Sequence, residues 1–492
     1  MRKLLTVLIS LFICSVCFGL QNNYAPSFKE SKKTTHKISK KQKYIFGYLE
    51  VPENRGKPNS NTIKLPVYIF KSRHPNPQLD PVIYTVGGPG YTSMKASQYM
   101  NYYQYLDDRD FILFEQRGTQ YAKPNLACPE WSEAVSLSNL PGLTKSQTDS
   151  LFMGAVKACR SKLIEDGADL EGYNTKEIAA DIEDLRKVLG IDKYNLLTIS
   201  YSTKIAQVLL RDYPDAIRSV VMDSPLPLEV NYDEESVSNL LESTKHLLTD
   251  CEVDPNCNNA YPNLKERFLE YLRDKTDDPL VVEVENPNTN QVETFYLKGY
   301  DLITVFSAAS TSDVMNVPYE MNKLLNNDLS AVKEQLSYLF QASGMGNGVG
   351  MRLSVWCAEE YPFTSQKKVI EESYRYPEIR GLSPAVFDSS ICDIWGVSKV
   401  ANIENKPIKS DIPVLLMNGE YDSETPVKWA LDMKKNLPNS FHLIFKGWKH
   451  TVTTNWANPC AMETANAFFN NPNMKPNPDC FQEIERPRFK TD

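Results

Sequence analysis

The sequence predicts an α/β fold with a mainly parallel sheet, helices on both faces and a large, mostly helical insertion. Six short apolar runs have the length of buried strands, and helical patterns separate several of them. The runs cover 81–86, 110–115, 195–199, 219–222, 412–417 and 441–445. Alternating strands and helices are typical of a parallel sheet. Because residues 228–405 lack this alternation, we expect a core at 44–227 and 406–492 that is split by a cap.

The N-terminus predicts export. Arg2 and Lys3 precede an apolar run that is too short and too early for a membrane span and ends near Gly19. We therefore predict a signal peptide over residues 1–19 and a periplasmic or secreted protein, with an uncleaved anchor as the alternative. Residues 20–43 are expected to form a basic, flexible arm. No later stretch could span a bilayer.

The net charge disfavours nucleic acid as a partner. It is −8 for the whole chain and about −10 once Arg2 and Lys3 are removed with the signal. The lysines of 29–43 could contact an anionic surface, but a solvated terminus is the favoured interpretation. We expect a monomer whose partner is its substrate, a peptide.

The cysteines predict disulfides rather than a metal site. Ten cysteines less Cys14 and Cys17 leave eight, an even number in an exported protein. Their neighbours along the chain group as Cys128 with Cys159, Cys251 with Cys257, Cys357 with Cys392 and Cys460 with Cys480. No C-x-x-C pair remains and the five histidines are not clustered, so we expect no metal and no cofactor.

The first part of the core begins with a predicted edge hairpin at 44–72, around the polar loop 52–61. The strand at 81–86 then runs into Gly87-Gly88-Pro89-Gly90, where glycines let backbone amides approach a ligand closely. This loop is either part of an oxyanion hole or a tight turn without function. After the next strand, Glu115 and Arg117 are expected to brace their loop.

The segment 194–210 reads as a buried strand, an abrupt turn at Ser200 and a helix. A serine at such a turn projects its hydroxyl outward, beside the free N–H groups of the helix N-terminus. Taken alone, the segment leaves two equal interpretations, a nucleophile and a helix cap. In the cap, Gly344–Gly350 does not satisfy the dinucleotide-binding spacing and is interpreted as a flexible lid loop.

Functional groups of open α/β sheets collect beyond the carboxyl ends of the strands. Ser200, Asp422 and His450 each follow a predicted core strand, in the order serine, acid, histidine. His450 follows the last core strand in a loop, unlike the histidines at 36, 74, 246 and 442. Glu420 and Glu424 compete with Asp422, which is preferred because it lies in the turn 422–426.

Several motifs accompany these residues: VGGPG at 86–90, EQRGT at 115–119 followed by NLAC, SYST at 200–203, GEYDSETP at 419–426, KHT at 449–451 and the tail NPCAMETANAFF ending at Cys480. Together they resemble secreted tripeptidyl aminopeptidase-like and prolyl aminopeptidase-like serine peptidases of the α/β-hydrolase superfamily, over most of residues 80–485. The tail resembles the TAP-like C-terminal region of that family. The resemblance implies an α/β-hydrolase fold, a triad of Ser200, Asp422 and His450, and oxyanion donors at the amides of Gly88 and Tyr201.

One departure concerns the turn itself. The family pattern is G-x-S-x-G, whereas Thr198 and Ser202 stand at both glycine positions here. Those glycines relieve crowding between strand and helix, so Thr198 in particular is expected to add strain or shift the turn.

The implied reaction is acyl transfer through an acyl-enzyme, with His450 as the base. The resemblance further suggests that cap carboxylates bind the substrate ammonium, which makes Glu359, with Glu360 beside it, the candidate for an exopeptidase. A solvated pair of glutamates is the alternative. Two other functions stay open at this point: an esterase on the same triad, and a catalytically silent binding protein.

Overall fold

The computed structural model describes residues 24–492 except 79, 139–142, 288, 308–309, 341–345, 383–387 and 487. The predicted signal peptide at 1–19 and Gly344 lie outside the described residues. The described strands are β1 Ser27–Glu30, β2 Tyr44–Pro52, β3 Thr62–Phe70, β4 Val82–Thr85, β5 Phe111–Phe114, β6 Tyr194–Ile199, β7 Ile217–Asp223, β8 Leu280–Asn286, β9 Gln291–Leu297, β10 Val414–Gly419 and β11 Ser440–Phe445.

The main sheet has nine strands in the order β1-β2-β3-β5-β4-β6-β7-β10-β11. The pairs among β1, β2, β3 and β5 are antiparallel, and all pairs from β5 to β11 are parallel. The parallel strands therefore place their carboxyl ends at one edge of the sheet. The predicted α/β class is confirmed, and the inserted chain forms a separate pair, β8 with β9.

The described helices are α1 Tyr105–Asp108, α2 Pro129–Ser138, α3 Lys145–Glu165, α4 Thr175–Val188, α5 Ser202–Asp212, α6 Tyr232–Val253, α7 Pro255–Ala260, α8 Leu264–Asp277, α9 Gly299–Ser307, α10 Val317–Leu325, α11 Ser330–Leu339, α12 Val349–Val355, α13 Gln366–Arg375, α14 Ser389–Trp395, α15 Val427–Lys434, α16 Cys460–Asn470 and α17 Asp479–Gln482. Alternate residues of the central strands enter two cores: Leu196 of β6 packs with α4 and α5, and Leu197 packs with α16. The sheet is thus covered on both faces, which explains its continuous apolar strands.

The prediction of a flexible arm at 20–43 is wrong for the segment 27–30. It forms β1, which pairs antiparallel with β2 at the edge of the main sheet. The 44–72 hairpin is therefore next to the edge rather than at it. Further along the arm, the His36 ring contacts Tyr121 with 5.1 Å between ring centroids. Backbone pairing with β2 outweighs the lysine-rich composition, since lysine side chains can point to solvent from an edge strand.

The chain between β7 and β10 contains α6–α14 and the β8–β9 hairpin. Helices α6–α11 and the hairpin build a core of their own around Leu248, Phe268 and Leu302. In contrast, Leu353 of α12 and Trp395 of α14 belong to the core beneath the main sheet. The insertion thus has a separately packed part and a part joined to the sheet domain, and the cap boundaries 228–405 stay a prediction.

The interpretation of the glycine-rich segment as a flexible lid loop is wrong for its described part. A Cβ on Gly348 would lie 2.0 Å from the Gly90 carbonyl oxygen, and one on Gly346 would lie 2.2 Å from that of Cys128. The backbone is also hydrogen-bonded there, from Cys128 N to the Gly346 oxygen and from Gly350 N to the Leu126 oxygen, each at 2.9 Å. Glycine serves close backbone packing here, not mobility.

All four predicted disulfides are present: Cys128–Cys159, Cys251–Cys257, Cys357–Cys392 and Cys460–Cys480. Each closes a short stretch of chain, in agreement with the sequence neighbours. Across the described part of the chain, no helix combines the length and the apolar character needed to cross a membrane.

Candidate active site

Ser200 occupies a sharp turn between β6 and α5. Its backbone is left-handed, with φ of +56°, a conformation that costs free energy for a residue with a Cβ. The Ser200 N–H donates to the Asp223 carbonyl oxygen at 2.9 Å, which ties the turn to the end of the neighbouring strand β7. The side chain is half-buried. The turn therefore presents a serine hydroxyl at the carboxyl edge of the sheet.

The two residues that replace the expected glycines are accommodated by hydrogen bonds. Ser202 Oγ accepts from the Ile199 N–H at 2.8 Å and lies 2.9 Å from the carbonyl oxygens of Thr85 and Ile199. Thr198 Oγ1 donates to the Val221 carbonyl oxygen at 3.2 Å. Because the left-handed turn forms at Ser200, the expected shift of the turn does not occur.

The glycine loop after β4 lies against this turn. A Cβ on Gly87 would be 2.7 Å from Ser200 Cβ and 3.1 Å from the Tyr201 nitrogen, so only glycine permits the approach. Gly88 has φ of +119°. The Tyr201 N–H precedes the first helical residue of α5 and so needs no intrahelical partner. The predicted oxyanion donors Gly88 and Tyr201 thus lie on two adjacent segments beside Ser200.

The predicted bracing by Glu115 and Arg117 is confirmed. Glu115 accepts from Ser93 N and Thr92 Oγ1, both at 2.9 Å, and so fixes the chain that follows the glycine loop. Burial raises the pKa of Glu115 to about 7, despite these hydrogen bonds. Arg117 is fully buried and forms a two-point ion pair with Asp181 of α4 at 2.6 and 2.8 Å. Both side chains therefore hold structure rather than react.

Asp422 and His450 form a hydrogen-bonded pair. His450 Nδ1 lies 2.9 and 3.1 Å from the two Asp422 carboxylate oxygens. Asp422 also accepts from Thr425 N and Thr425 Oγ1 at 2.8 Å and from Glu424 N at 2.9 Å. Burial alone would raise the pKa of Asp422, but His450 and Thr425 outweigh it and hold this pKa below the ordinary value. The carboxylate is therefore charged and firmly placed.

The pKa of His450 is raised to about 9. Burial lowers it, but the negative charges of Asp422, Glu424 and Asp223 and the Asp422 hydrogen bond more than compensate. Because one carboxylate orients Nδ1, the other ring nitrogen, Nε2, is left for proton transfer. This arrangement suits a general base held in one orientation.

Asp223 and Ser224 hold the His450 loop and had no assigned role in the sequence. Asp223 accepts from Val452 N at 2.9 Å and from Thr453 N at 2.7 Å, and Ser224 Oγ accepts from Thr451 N at 2.8 Å. Asp223 ends β7 and Ser224 follows it, so the strand-end rule that selected the candidate triad could have found them. Through the Asp223 carbonyl they join the Ser200 turn to the His450 loop.

The competing acids have different positions. Glu420 forms an ion pair with Arg486. Glu424 Oε2 lies 3.7 Å from His450 Nε2, on the opposite side of the ring from Asp422. Only Asp422 therefore occupies the position of the orienting acid.

Glu359 and Glu360 do not form a free carboxylate pair. Glu359 accepts from Thr175 N at 2.6 Å and Thr175 Oγ1 at 2.5 Å, and Glu360 is ion-paired with Lys204 of α5. Both are buried, which raises the pKa of Glu359 to about 7 and that of Glu360 above its ordinary value. The alternative of a solvated pair is wrong, and an ammonium ligand role would require displacing internal partners.

One group of side chains in the described residues has the composition of a metal site. His246, Asp250 and Glu420 place ligand atoms within 4.8 Å of one another. Arg486 already pairs with both carboxylates, at 3.0 Å from Asp250 and 2.5 Å from Glu420. The cationic guanidinium satisfies the acids, so the cluster is explained as an ion-pair network.

Comparison with known proteins supports the fold described above. The family described as alpha/beta hydrolase fold matches residues 80–245, and the family described as TAP-like protein matches residues 382–480. Serine protease Hip1 of Mycobacterium tuberculosis is 22% identical over 433 residues, which cover 83% of this chain and 82% of that protein. Tripeptidyl aminopeptidase of Streptomyces coelicolor is 27% identical over 193 residues, 36% of this chain and 34% of that protein.

Among solved structures, proline iminopeptidase of Mycobacterium smegmatis is 13% identical, with 87% of this chain and 98% of that chain covered and a TM-score of 0.39. A score this low supports no conclusion by itself. The strand order and the two family matches carry the assignment. The chain has the α/β-hydrolase fold, and its family matches and relatives support a serine hydrolase with a TAP-like C-terminal region.

Proposed function

We propose that this protein is an exported serine exopeptidase that cleaves short peptides or single residues from a free N-terminus. Ser200 is the nucleophile, His450 the general base and Asp422 the orienting acid. The observation that carries the proposal is the Asp422–His450 pair at 2.9 Å, held by the ends of β7 and β10 beside the Ser200 turn.

The reaction follows from these positions. Ser200 Oγ attacks the scissile carbonyl carbon while His450 Nε2 takes its proton, and the same proton passes to the leaving amine. The oxyanion is bound by the amides of Gly88 and Tyr201, an interaction that supplies a few kcal/mol in such enzymes. Water then resolves the acyl-enzyme with His450 again as base.

Export and substrate class rest on further features. Four disulfides are typical of oxidising compartments, which supports a periplasmic or secreted location. The inserted chain contacts the loops that carry Asp422 and His450: Ser243 Oγ donates to the Tyr421 carbonyl oxygen at 2.8 Å, and the Lys449 N–H donates to Thr311 Oγ1 at 2.9 Å. These contacts support a site with restricted access, as expected for an enzyme that acts on peptide ends. A peptidase relative, tripeptidyl aminopeptidase, supports a peptide as the substrate. We propose a monomer without a nucleic-acid partner.

The test is labelling with a fluorophosphonate, followed by peptide hydrolysis. Wild type is expected to label and Ser200→Ala to stay unlabelled, and free peptides are expected to be cleaved while N-acetylated peptides are not. An unlabelled wild type would indicate a silent binding protein. Equal hydrolysis of blocked and free substrates would indicate an esterase or an endopeptidase instead.

A further inference from the structure

A single exposed carboxylate, that of Glu424, lies beside the reactive nitrogen of His450. Its side chain is 61% exposed and its Oε2 is 3.7 Å from His450 Nε2. Its backbone N–H donates to Asp422 at 2.9 Å, so the residue is fixed in the turn that holds the orienting acid. Over the ranges that the structure describes, this carboxylate makes no other ion pair and no side-chain hydrogen bond.

The surroundings of Glu424 are suited to a cation. Burial raises the pKa of Tyr232 in α6, and the negative charges of Glu424 and Asp422 raise it further. The Tyr232 ring contacts Trp356 and Trp429 edge to face, with 5.6 and 6.0 Å between ring centroids. Because Trp356 and Trp429 are buried, the contact that Glu424 offers to an ammonium is an ion pair.

The other charged groups near this position already have partners. Arg352, whose charge also acts on Tyr232, lies over the Trp356 ring with 5.6 Å between the guanidinium carbon and the ring centroid. Lys449 donates from Nζ to the Ser307 carbonyl oxygen at 2.9 Å, and burial lowers its pKa. Asp422 is bound to His450 and Thr425. The buried glutamates of the cap are bound to Thr175 and Lys204. Glu424 is therefore the acid at the catalytic residues that a substrate can reach.

We propose that Glu424 binds the α-ammonium of the substrate and that its position selects release of one residue per turnover. This rests on the proposed function. In an aminoacyl group bound to Ser200, the ammonium is separated from the reacting carbonyl by one carbon only, next to His450 Nε2. A tripeptidyl group would carry its ammonium two residues further away, about 7 Å along an extended chain. The substrate class is peptides and amides with a free N-terminal residue.

Binding at Glu424 also acts on the base. Glu424 is one of the charges that favour protonated His450, together with Asp422 and Asp223. A bound ammonium neutralises Glu424, so His450 loses its proton at a lower pH in the substrate complex than in the free enzyme. Substrate binding thus favours the unprotonated form of His450, which is the form that acts as the base.

The experiment compares wild type, Glu424→Gln and the control Glu371→Gln. Glu371 is a surface residue of α13 with a matching exposed fraction of 62%. The substrates are single-residue, dipeptidyl and tripeptidyl aminomethylcoumarin amides, each free and N-acetylated, and the neutral ester p-nitrophenyl acetate. The pH profile of kcat/KM is measured for the amides and the ester.

Wild type is expected to cleave the free single-residue amide at least tenfold faster than the tripeptidyl one. Glu424→Gln is expected to lose roughly tenfold to a hundredfold in kcat/KM for the free amide, mainly through KM. For the ester it is expected to gain activity at neutral pH, with the acidic limb shifted down by about one pH unit. Glu371→Gln is expected to change neither kcat/KM for the free amide nor the pH profile for the ester.

Equal losses on the amide and the ester would overturn the proposal, because they indicate a structural role. If wild type cleaves the tripeptidyl amide faster than the single-residue amide, the proposed release of one residue per turnover is wrong. The exopeptidase function would still stand. Cleavage of acetylated and free amides at one rate would refute the exopeptidase function itself, and the role of Glu424 with it.

Discussion

Replacing Ser202 by glycine restores the family pattern at the nucleophile turn, yet we expect it to destabilise the protein. Ser202 is fully buried and its Oγ accepts from the Ile199 N–H at 2.8 Å. In Ser202→Gly that N–H loses the Ser202 hydroxyl as an acceptor, which costs about 1–3 kcal/mol. Glycine flexibility in the first turn of α5 adds about 0.5–1 kcal/mol. The free energy of unfolding should therefore fall by about 1.5–4 kcal/mol.

Urea unfolding under oxidising conditions measures this change in the free energy of unfolding. The rate at which a fluorophosphonate labels Ser200 reports whether the turn keeps its geometry. Ser202→Ala separates the lost hydrogen bonds from glycine flexibility and should lose about 1–3 kcal/mol. Ser146→Gly, at an exposed position in the first turn of α3, should lose only about 0.5–1 kcal/mol. If Ser202→Gly is as stable as wild type, the serine does not hold the turn and the reasoning fails.

Three other predictions follow from the site and the C-terminus. Protonated His450 cannot act as a base and its pKa is about 9, so kcat/KM for a neutral ester should rise with pH up to about 9; a plateau below pH 7 would contradict this. Gly348→Ala places a Cβ 2.0 Å from the Gly90 oxygen and should slow labelling of Ser200 at least tenfold with little loss of helical circular dichroism. Arg486→Ala removes the ion pairs with Glu420 and Asp250 and should lower the midpoint of thermal unfolding, an effect that 0.5 M salt should reduce.

The central sheet and the strand-end residues could be predicted because they depend on local pattern. Apolar runs without alternation identify strands buried on both faces, and β6, β10 and β11 lie within a few residues of the predicted runs. Parallel strands bring their carboxyl ends to one edge, so the order of Ser200, Asp422 and His450 was enough to expect a shared location. The geometry of Asp422 and His450 follows from that topology.

Three features were beyond the sequence because they depend on contacts between distant segments. The arm at 27–30 pairs with β2, which composition does not reveal. Gly348 approaches Gly90 across a separation that no local pattern encodes. The residues 359 and 360 were assigned to substrate by the family resemblance and by their charge, and neither reveals which partner a carboxylate has in the folded chain.

Those internal partners divide the insertion into a part that is tied to the sheet domain and a part that packs mainly within itself. Through Thr175, whose Oγ1 lies 2.8 Å from the Tyr201 hydroxyl, Glu359 holds the residue after the nucleophile. Glu360 pairs with Lys204 one turn along α5. The segment 346–360 is thus tied to the Ser200 turn and the sheet domain, whereas α6–α11 have a core of their own.

If substrate enters by movement of the cap, that movement belongs to α8–α11 and not to 346–360. Hydrogen exchange should show amides of α12 protected as strongly as those of α5, and amides of α8–α11 exchanging faster as one unit. Glu359→Gln, which weakens the charged bond to Thr175, should raise exchange in α12 and leave α8–α11 unchanged. Equal protection of the two parts in wild type would show that the insertion moves, if at all, as a single body.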